Sequence, residues 1–393
     1  MRYAVGQNVR WLWSLAVLLG AVRWAEAGPL DPNAFALSGT GAFPTLAGTY
    51  TINTSGIPTI SRPGGTTISG QIYSDAPGHE LAVFDFNAIT IGSSETFNAS
   101  GTLPLVLLSR GDASIAGTVN VSASGVVGGP GGGGGGGTTL GPGAGSYLFA
   151  GGSGGGFGGA GGASGAFIFL TGAGPPGTPL PPPVPSLPGG HAYGDLTVSL
   201  QGGSAGGTGA GAGGGAIEIG AVGALTLNGG SILANGASEQ IILGGGSGGG
   251  IFLHGATVSL DGSLAANGGN GGAGIVVGGP GGGEGGGGGG GGGGRILIEY
   301  GSSISFAGAD ITGFGGIGGN DYEGFNGPGV SGGANGTLTY GPYGGPFTTT
   351  VLPEPPSLVP GAIAVAIAMG FRWAARSRNR FRPSQPGRDP HVE

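Results

Sequence analysis

The stretch GIFLHGATVSLDGSLAANGG, residues 250–269, decides how this chain folds. It holds three short apolar triplets, Ile251-Phe252-Leu253, Val258-Ser259-Leu260 and Ser263-Leu264-Ala265, separated by glycine-containing turns. Alternation with a period of two over three to five residues is the signature of a strand, not of a helix. Turns seven or eight residues apart are too close for long antiparallel strands. They suit one rung of a stack: three short strands, three corners, then the next rung above.

The same plan recurs on both sides. Residues 215–236 (GAIEIGAVGALTLNGGSILANG) and 295–316 (RILIEYGSSISFAGADITGFGG) line up with it. A fainter copy is LVLLSRGDASIAGTVNVSASG at 105–125, and another begins at Ala166-Phe167-Ile168-Phe169-Leu170. Repeated units of this length are the signature of a stacked repeat architecture. The expectation is an all-β chain whose body, 105–347, is a right-handed parallel β-helix with glycine-rich loop insertions. Inward residues of equivalent strands should stack in rows, Ile217 on Ile251 on Ile296 and Leu227 on Leu260 on Phe306. Each row removes apolar surface from water at about 25 cal/mol per Å², and stability adds rung by rung.

Glycine belongs at the corners, where positive φ and close approach exclude side chains. The long runs 131–137 and 285–294 read as loops bulging from one corner, which accounts for the unequal spacings: 34 residues from Ile217 to Ile251 and 45 from Ile251 to Ile296. The proline-rich insert 175–188 reads as a further protruding loop, extended and polyproline II-like. Solenoid ends need cover, or their strand edges recruit other chains. Residues 28–104 are expected to cap the first rung, and 336–347 to lie at the far end.

Composition agrees with a repeat fold. The chain has 393 residues, 105 of them glycine, with no cysteine, and its 12 basic residues are all arginine. No strict G-X-Y period runs through it, which excludes collagen. Disorder goes with low hydrophobicity and high charge, whereas here 38% of residues are hydrophobic and 8% charged. Residues 28–356 hold 16 acidic residues against Arg62, Arg110 and Arg295, a net charge of −13. That balance excludes nucleic acid, whose phosphates need clustered Lys or Arg. Without cysteine, an exported chain has no disulfide framework and relies on packing and backbone hydrogen bonds.

Both ends carry targeting patterns. Residues 1–27 read as a signal peptide: Arg2 and Arg10 charge its start, an apolar run extends over 11–22, and Ala25-Glu26-Ala27 gives the small residues of a cleavage site. Signal peptidase would then leave Gly28 as the first residue. The alternative is an uncleaved anchor, for which about 12 apolar residues are short. At the other end Pro353-Glu354-Pro355 precedes an apolar segment, 358–371, and then Arg372, Arg376, Arg378, Arg380 and Arg382. An apolar helix followed by arginines is a stop-transfer arrangement that obeys the positive-inside rule.

This tail (348–393) resembles a PEP-CTERM sorting signal, which consists of a Pro-Glu-Pro motif, a transmembrane helix and an arginine-rich end. The resemblance implies recognition by an exosortase, a membrane cysteine transpeptidase that removes the tail. The protein is then transiently tethered to the inner membrane before passing to the envelope or extracellular matrix. Two features differ from the family pattern: Pro360 and Gly361 interrupt the apolar segment, and 22 residues follow Phe371. A simple unprocessed C-terminal anchor is the alternative. The body is similar in pattern to glycine-rich, adhesin-like β-helical surface proteins.

Chemistry is sparse. G-x-G-x-x-G matches recur by chance in so much glycine, and none leads into a helix with an acidic residue at the right distance. GGIGGND, 315–321, is near a calcium-binding nonapeptide, but its aspartate falls one position late and the unit does not repeat; a solvated loop acid is the better reading. His79, His191 and His254 lack metal-ligand spacing and read as surface or turn residues. No cofactor is expected. Parallel β-helices also host polysaccharide lyases and hydrolases, which makes Asp112, Asp261, Glu299 and Asp310, with Arg110 and Arg295, the candidate catalytic set. No local carboxylate pair declares itself. Arg110 with Asp112, and Arg295 with Glu299, read equally well as surface ion pairs. The expected function is therefore a structural or adhesive envelope protein, not an enzyme, with extracellular polysaccharide as a partner. A carbohydrate-active enzyme is the alternative, and elastic or disordered glycine spacers a third reading.

Overall fold

The computed structural model describes residues 28–353, apart from 63, 138, 149–150, 170–178, 278–282, 321–329 and 345. The signal segment 1–27, the motif residues Glu354 and Pro355, the apolar segment 358–371 and all five tail arginines lie outside the described residues, as does Asp321. The described chain is all-β. A single 3-10 turn, Pro32–Ala34, is capped by the Asp31 side chain, and most strands belong to one 17-stranded sheet.

That sheet is built from three in-register parallel ladders. The first runs from His79–Phe86 through Leu105–Ser109, Ala216–Ala221, the start of Gly250–Ala265 and the start of Arg295–Ser305 to Thr337–Pro342. The second runs from Ile89–Ile91 through Ala113–Ile115 and Ala224–Leu233 to the middle of Gly250–Ala265 and the end of Arg295–Ser305. The third joins Gly48–Asn53, Glu95–Ser100, Thr118–Asn120, the ends of Ala224–Leu233 and Gly250–Ala265, and Asp310–Thr312. The three triplets of 250–269 thus sit one in each ladder.

Period two puts alternate side chains of all three ladders into one shared core. Ile217, Ile251 and Ile296 stack in register, as do Leu227 and Leu260. At one end Tyr50 stacks on Phe97 with ring centroids 4.4 Å apart. Phe306 departs from the expected row. It is 36% exposed and packs edge-on against Tyr340, because the last strand, Thr337–Pro342, extends only the first ladder. The copy expected at 166–170 also departs: Phe167–Phe169 pairs antiparallel with Gly283–Gly285 in a separate three-stranded sheet. Antiparallel strands close the parallel stack at both ends, Thr59–Ser61 and Gln71–Ala76 at one and Thr348–Val351 at the other. Such reversals blunt strand edges that would otherwise template further pairing.

The glycine run 285–294 is not a bulging loop, whereas 131–137 is only partly packed, with Gly136 and Gly137 exposed. Residues 285–294 are buried throughout, and their amides follow a three-residue cycle. Gly289 and Gly292 donate to Gly152 and Gly155; Gly290 and Gly293 to Ser331 and Ala334; Gly288, Gly291 and Gly294 to Gly272, Gly269 and Ala266. Their carbonyls accept on the same cycle: Gly289 and Gly292 from Gly245 and Gly248, Gly290 and Gly293 from Gly162 and Gly159, Gly288 and Gly291 from Gly319 and Gly316. One central segment therefore bonds to six neighbours. An extended helix with three residues per turn has no internal hydrogen bonds and sends its polar groups outward in three directions per turn, which is polyproline II geometry.

Close packing explains why these residues are glycine. A Cβ on Gly291 would fall on the carbonyl of Gly246, and one on Gly154 on the carbonyl of Gly290. Collagen uses glycine for the same reason at its crowded axis. The expected loop assignment fails because polyglycine has no side chain with which to bury itself; it packs through backbone hydrogen bonds alone, and nearly all buried backbone groups must be paired. Each insert leaves the third ladder and returns to the first, so the segments stack in the same layers as the strands beside them. Small residues such as Ser153, Ser204, Ala212 and Ser247 are buried among the glycines, and a set of Ser and Asn side chains stitches the layers. The amides of Asn235, Asn267 and Phe314 donate to the side chains of Ser122, Asn235 and Asn267, at 3.0, 2.8 and 2.8 Å. Ser238 and Asn270 repeat this for the amides of Asn270 and Ile317. The insert 179–188 lies against 164–167, through Phe167–Val184 and Ser164–Leu187 backbone bonds.

Candidate functional site

The first ladder is the only one whose outer face is also covered among the described residues, and polar groups gather there. Outward positions of Ala216–Ala221 include Glu218 and Gly220, whose partners on the next strand are Phe252 and His254. A Cβ on Gly220 would occupy the place of the His254 imidazole. With that position open, the ring lies across the strand and its Nε2 stands 2.9 Å from Glu218 Oε1. Both side chains are about 4% exposed. Glu218 Oε1 also accepts the Leu30 amide at 2.9 Å, which ties the start of the described chain to the ladder. Glu299 follows His254 in register and is likewise buried.

Beside this pair, His79 Nδ1 lies 2.5 Å from Asp75 Oδ1, and its Nε2 2.9 Å from the Leu200 carbonyl. Both ring nitrogens thus face oxygen atoms. Glu218, Asp75 and His79 line a cavity of about 540 Å³ together with Gly28, Tyr73 and Phe252. On the other side of His79 a cavity of about 500 Å³ is lined by Glu80, Pro104, Tyr193 and Gln201.

Two further polar groups support the covering segment. The Tyr193 hydroxyl donates to the Gly202 carbonyl at 2.7 Å and accepts from Ser204 at 2.9 Å; burial pushes its pKa up to about 12. Arg295 Nε donates to the Tyr193 carbonyl at 3.0 Å, and its guanidinium stands 5.8 Å from the centre of the Phe157 ring. Burial lowers its pKa, against the pull of Asp195 and Tyr193. At the opposite end of the ladder the fully buried Asp85 is held by Arg110 at 2.8 Å, and Arg110 also reaches the Phe35 carbonyl at 2.6 Å. Desolvation raises the Asp85 pKa, opposed by the hydrogen bond and charge of Arg110.

Several expectations are corrected here. His254 is buried and paired, and His79 is paired on both nitrogens, so neither is a free surface residue; His191 is exposed. Arg110 pairs with Asp85 and not with Asp112, whose Oδ1 instead accepts the Ala224 amide at 2.8 Å and fixes a corner. Arg295 does not pair with Glu299, because residues four apart on a strand are about 13 Å apart.

The candidate catalytic carboxylates do not converge. Glu299 is on the first ladder, Asp112 at the corner between the first and second, Asp261 at the corner between the second and third, and Asp310 on the third. Gly316 and Gly319 of the calcium-like stretch are spent as donors to the carbonyls of Gly291 and Gly288. Among the described residues no cluster of three His, Asp or Glu side chains is placed to hold a metal ion, and no helix is long and apolar enough to cross a membrane. Of the targeting residues, Gly28 and Pro353 are described, at the two ends; Ala25 and Ala27 lie outside.

No family model matches the chain, and neither does any curated protein or solved structure.

Proposed function

We propose that this is an exported envelope protein with a structural or adhesive role, whose body is a right-handed parallel β-helix reinforced by a bundle of polyproline II-like glycine segments. The β-helical reading is supported by the order in which the chain visits the ladders: first, second, third, then a glycine insert and the first ladder again. Right-handed crossover is the rule for parallel strands joined this way. Signal peptidase and an exosortase act on its two ends, and it is tethered to the inner membrane only until the tail is removed.

The observation that carries the functional reading is the dispersal of Asp112, Asp261, Glu299 and Asp310 over separate ladders and corners, while the buried Asp85 and Glu218 are engaged in structural pairs. Glycoside chemistry needs two carboxyl groups about 5–9.5 Å apart across one bound sugar. What the molecule offers instead is a long, acidic, lysine-free scaffold with Gly, Ser, Thr and Asn at its surface, suited to contact with extracellular polysaccharide.

Two measurements on protein from its own cells test this. Mass spectrometry of the envelope and matrix fractions should find chains that begin at Gly28 and end near Pro353; chains ending at Glu393 contradict exosortase processing. The purified protein should retain matrix polysaccharide without changing it, and release of reducing or unsaturated sugar ends would favour the enzyme reading instead.

A further inference from the structure

Gly28, the residue that signal cleavage would expose, is described at the edge of the cavity that holds Asp75, His79 and Glu218. Two residues on, the Leu30 amide is bonded to Glu218. Two residues of chain span at most about 7 Å, so the Gly28 nitrogen lies within about 10 Å of the Glu218 carboxylate. Hydrolysis of the Ala27–Gly28 bond adds water across the peptide, leaving a carboxylate on Ala27 and an ammonium group on Gly28. A neutral amide is thereby replaced by a cation beside a buried acid.

We propose that this cavity is a receptor for the chain's own processed N-terminus: cleavage creates the ammonium that completes the Glu218 site and locks the leading segment onto the first ladder. The inference rests on the export reading of residues 1–27. The groups facing the site are Tyr73 and Asp75 on one strand, His79 on the next, Glu218 and His254 on the ladder, and Asp31 just downstream. Asp75 is engaged by His79, and Asp31 by the Asn33 amide. Glu218, bonded to a neutral amide and to His254, is the carboxylate left to meet the ammonium.

The chain supplies an unusually clean assay. It contains no lysine, so the α-amine is its only primary amine. The full chain starting at Gly28, produced by cutting a leader at that bond in vitro, is labelled with an amine-reactive reagent across pH 6 to 10. Capture predicts an apparent pKa about one unit above the usual range of about 7.7–8.0, given an opposite charge at this distance in a partly buried setting. The chain that keeps Ala25-Glu26-Ala27, and Glu218→Gln, should titrate in the usual range. Should Glu218→Gln not fold, the chain that keeps Ala25-Glu26-Ala27 leaves the Glu218 site intact and carries the comparison alone. A Gly28 amine that titrates like the extended chain overturns the inference and leaves the export reading standing. Native protein whose first residue is not Gly28 overturns both.

Discussion

Replacing Gly291 with alanine separates a packed glycine bundle from a set of loops. The new Cβ would overlap the Gly246 carbonyl, and that carbonyl accepts the Gly269 amide at 2.7 Å while Gly291 itself donates to Gly269 at 2.8 Å. Moving the chains apart costs about 1–3 kcal/mol in overpacking. Breaking two buried hydrogen bonds costs about 1 kcal/mol each. Alanine restricts the unfolded chain and returns about 0.4–1 kcal/mol. The net loss is about 2–4.5 kcal/mol, or about 3–7 °C in melting temperature for a body of this size at about 2.1 cal/mol/K per residue. Gly136→Ala is the internal control. It lies in another glycine run, has nothing within 4 Å of its would-be Cβ, and takes no positive φ; it should be neutral or gain up to about 1 kcal/mol. Thermal unfolding followed by circular dichroism compares the two. Equal melting temperatures would refute the close-packing argument.

Asn267→Ala removes the acceptor of the Phe314 amide and should cost about 1–2 kcal/mol in urea unfolding, whereas Asn267→Asp, which keeps an acceptor oxygen, should cost less. Gly220→Ala should expel the His254 ring and leave Glu218 without its partner, a loss of about 3–5 kcal/mol; a near-neutral variant would contradict the buried pair. Burial raises Tyr193 to about 12, so the unfolded chain ionises near pH 10 while the folded chain does not, and stability should fall as pH rises from about 10 to 12. Tyr343, also raised to about 12, adds to that slope, so Tyr193→Phe should shallow it without removing it, as read from unfolding midpoints at pH 9, 10 and 11.

The strands were legible because a half-buried strand writes its period into hydropathy. Ile251, Leu253, Val258, Leu260 and Leu264 all point into the core, and the 34-residue offset from Ile217 to Ile251 is the true register between two layers. That same offset already set His254 opposite Gly220 and one step from Glu218. The pair is illegible within either segment because its two members lie on successive layers and meet only across the ladder. The glycine bundle was illegible for a different reason: a residue without a side chain leaves no hydropathic period. Its trace survives in the interruptions, three residues apart, at Asn267, Asn270 and Ala273 and at Phe314, Ile317 and Asn320. Phe306 looked like core because its row continues in sequence, yet the ladder it belongs to has no further strand to cover it.

Amide hydrogen exchange over residues 283–295, compared with the ladder strand Gly250–Ala265, tests the central claim most directly. If the glycine segments form a packed, hydrogen-bonded bundle stacked in step with the strands, both peptides should be protected to a similar degree and lose protection together in denaturant. Exchange of 283–295 at the rate of an unstructured peptide, beside a protected Gly250–Ala265, would contradict it.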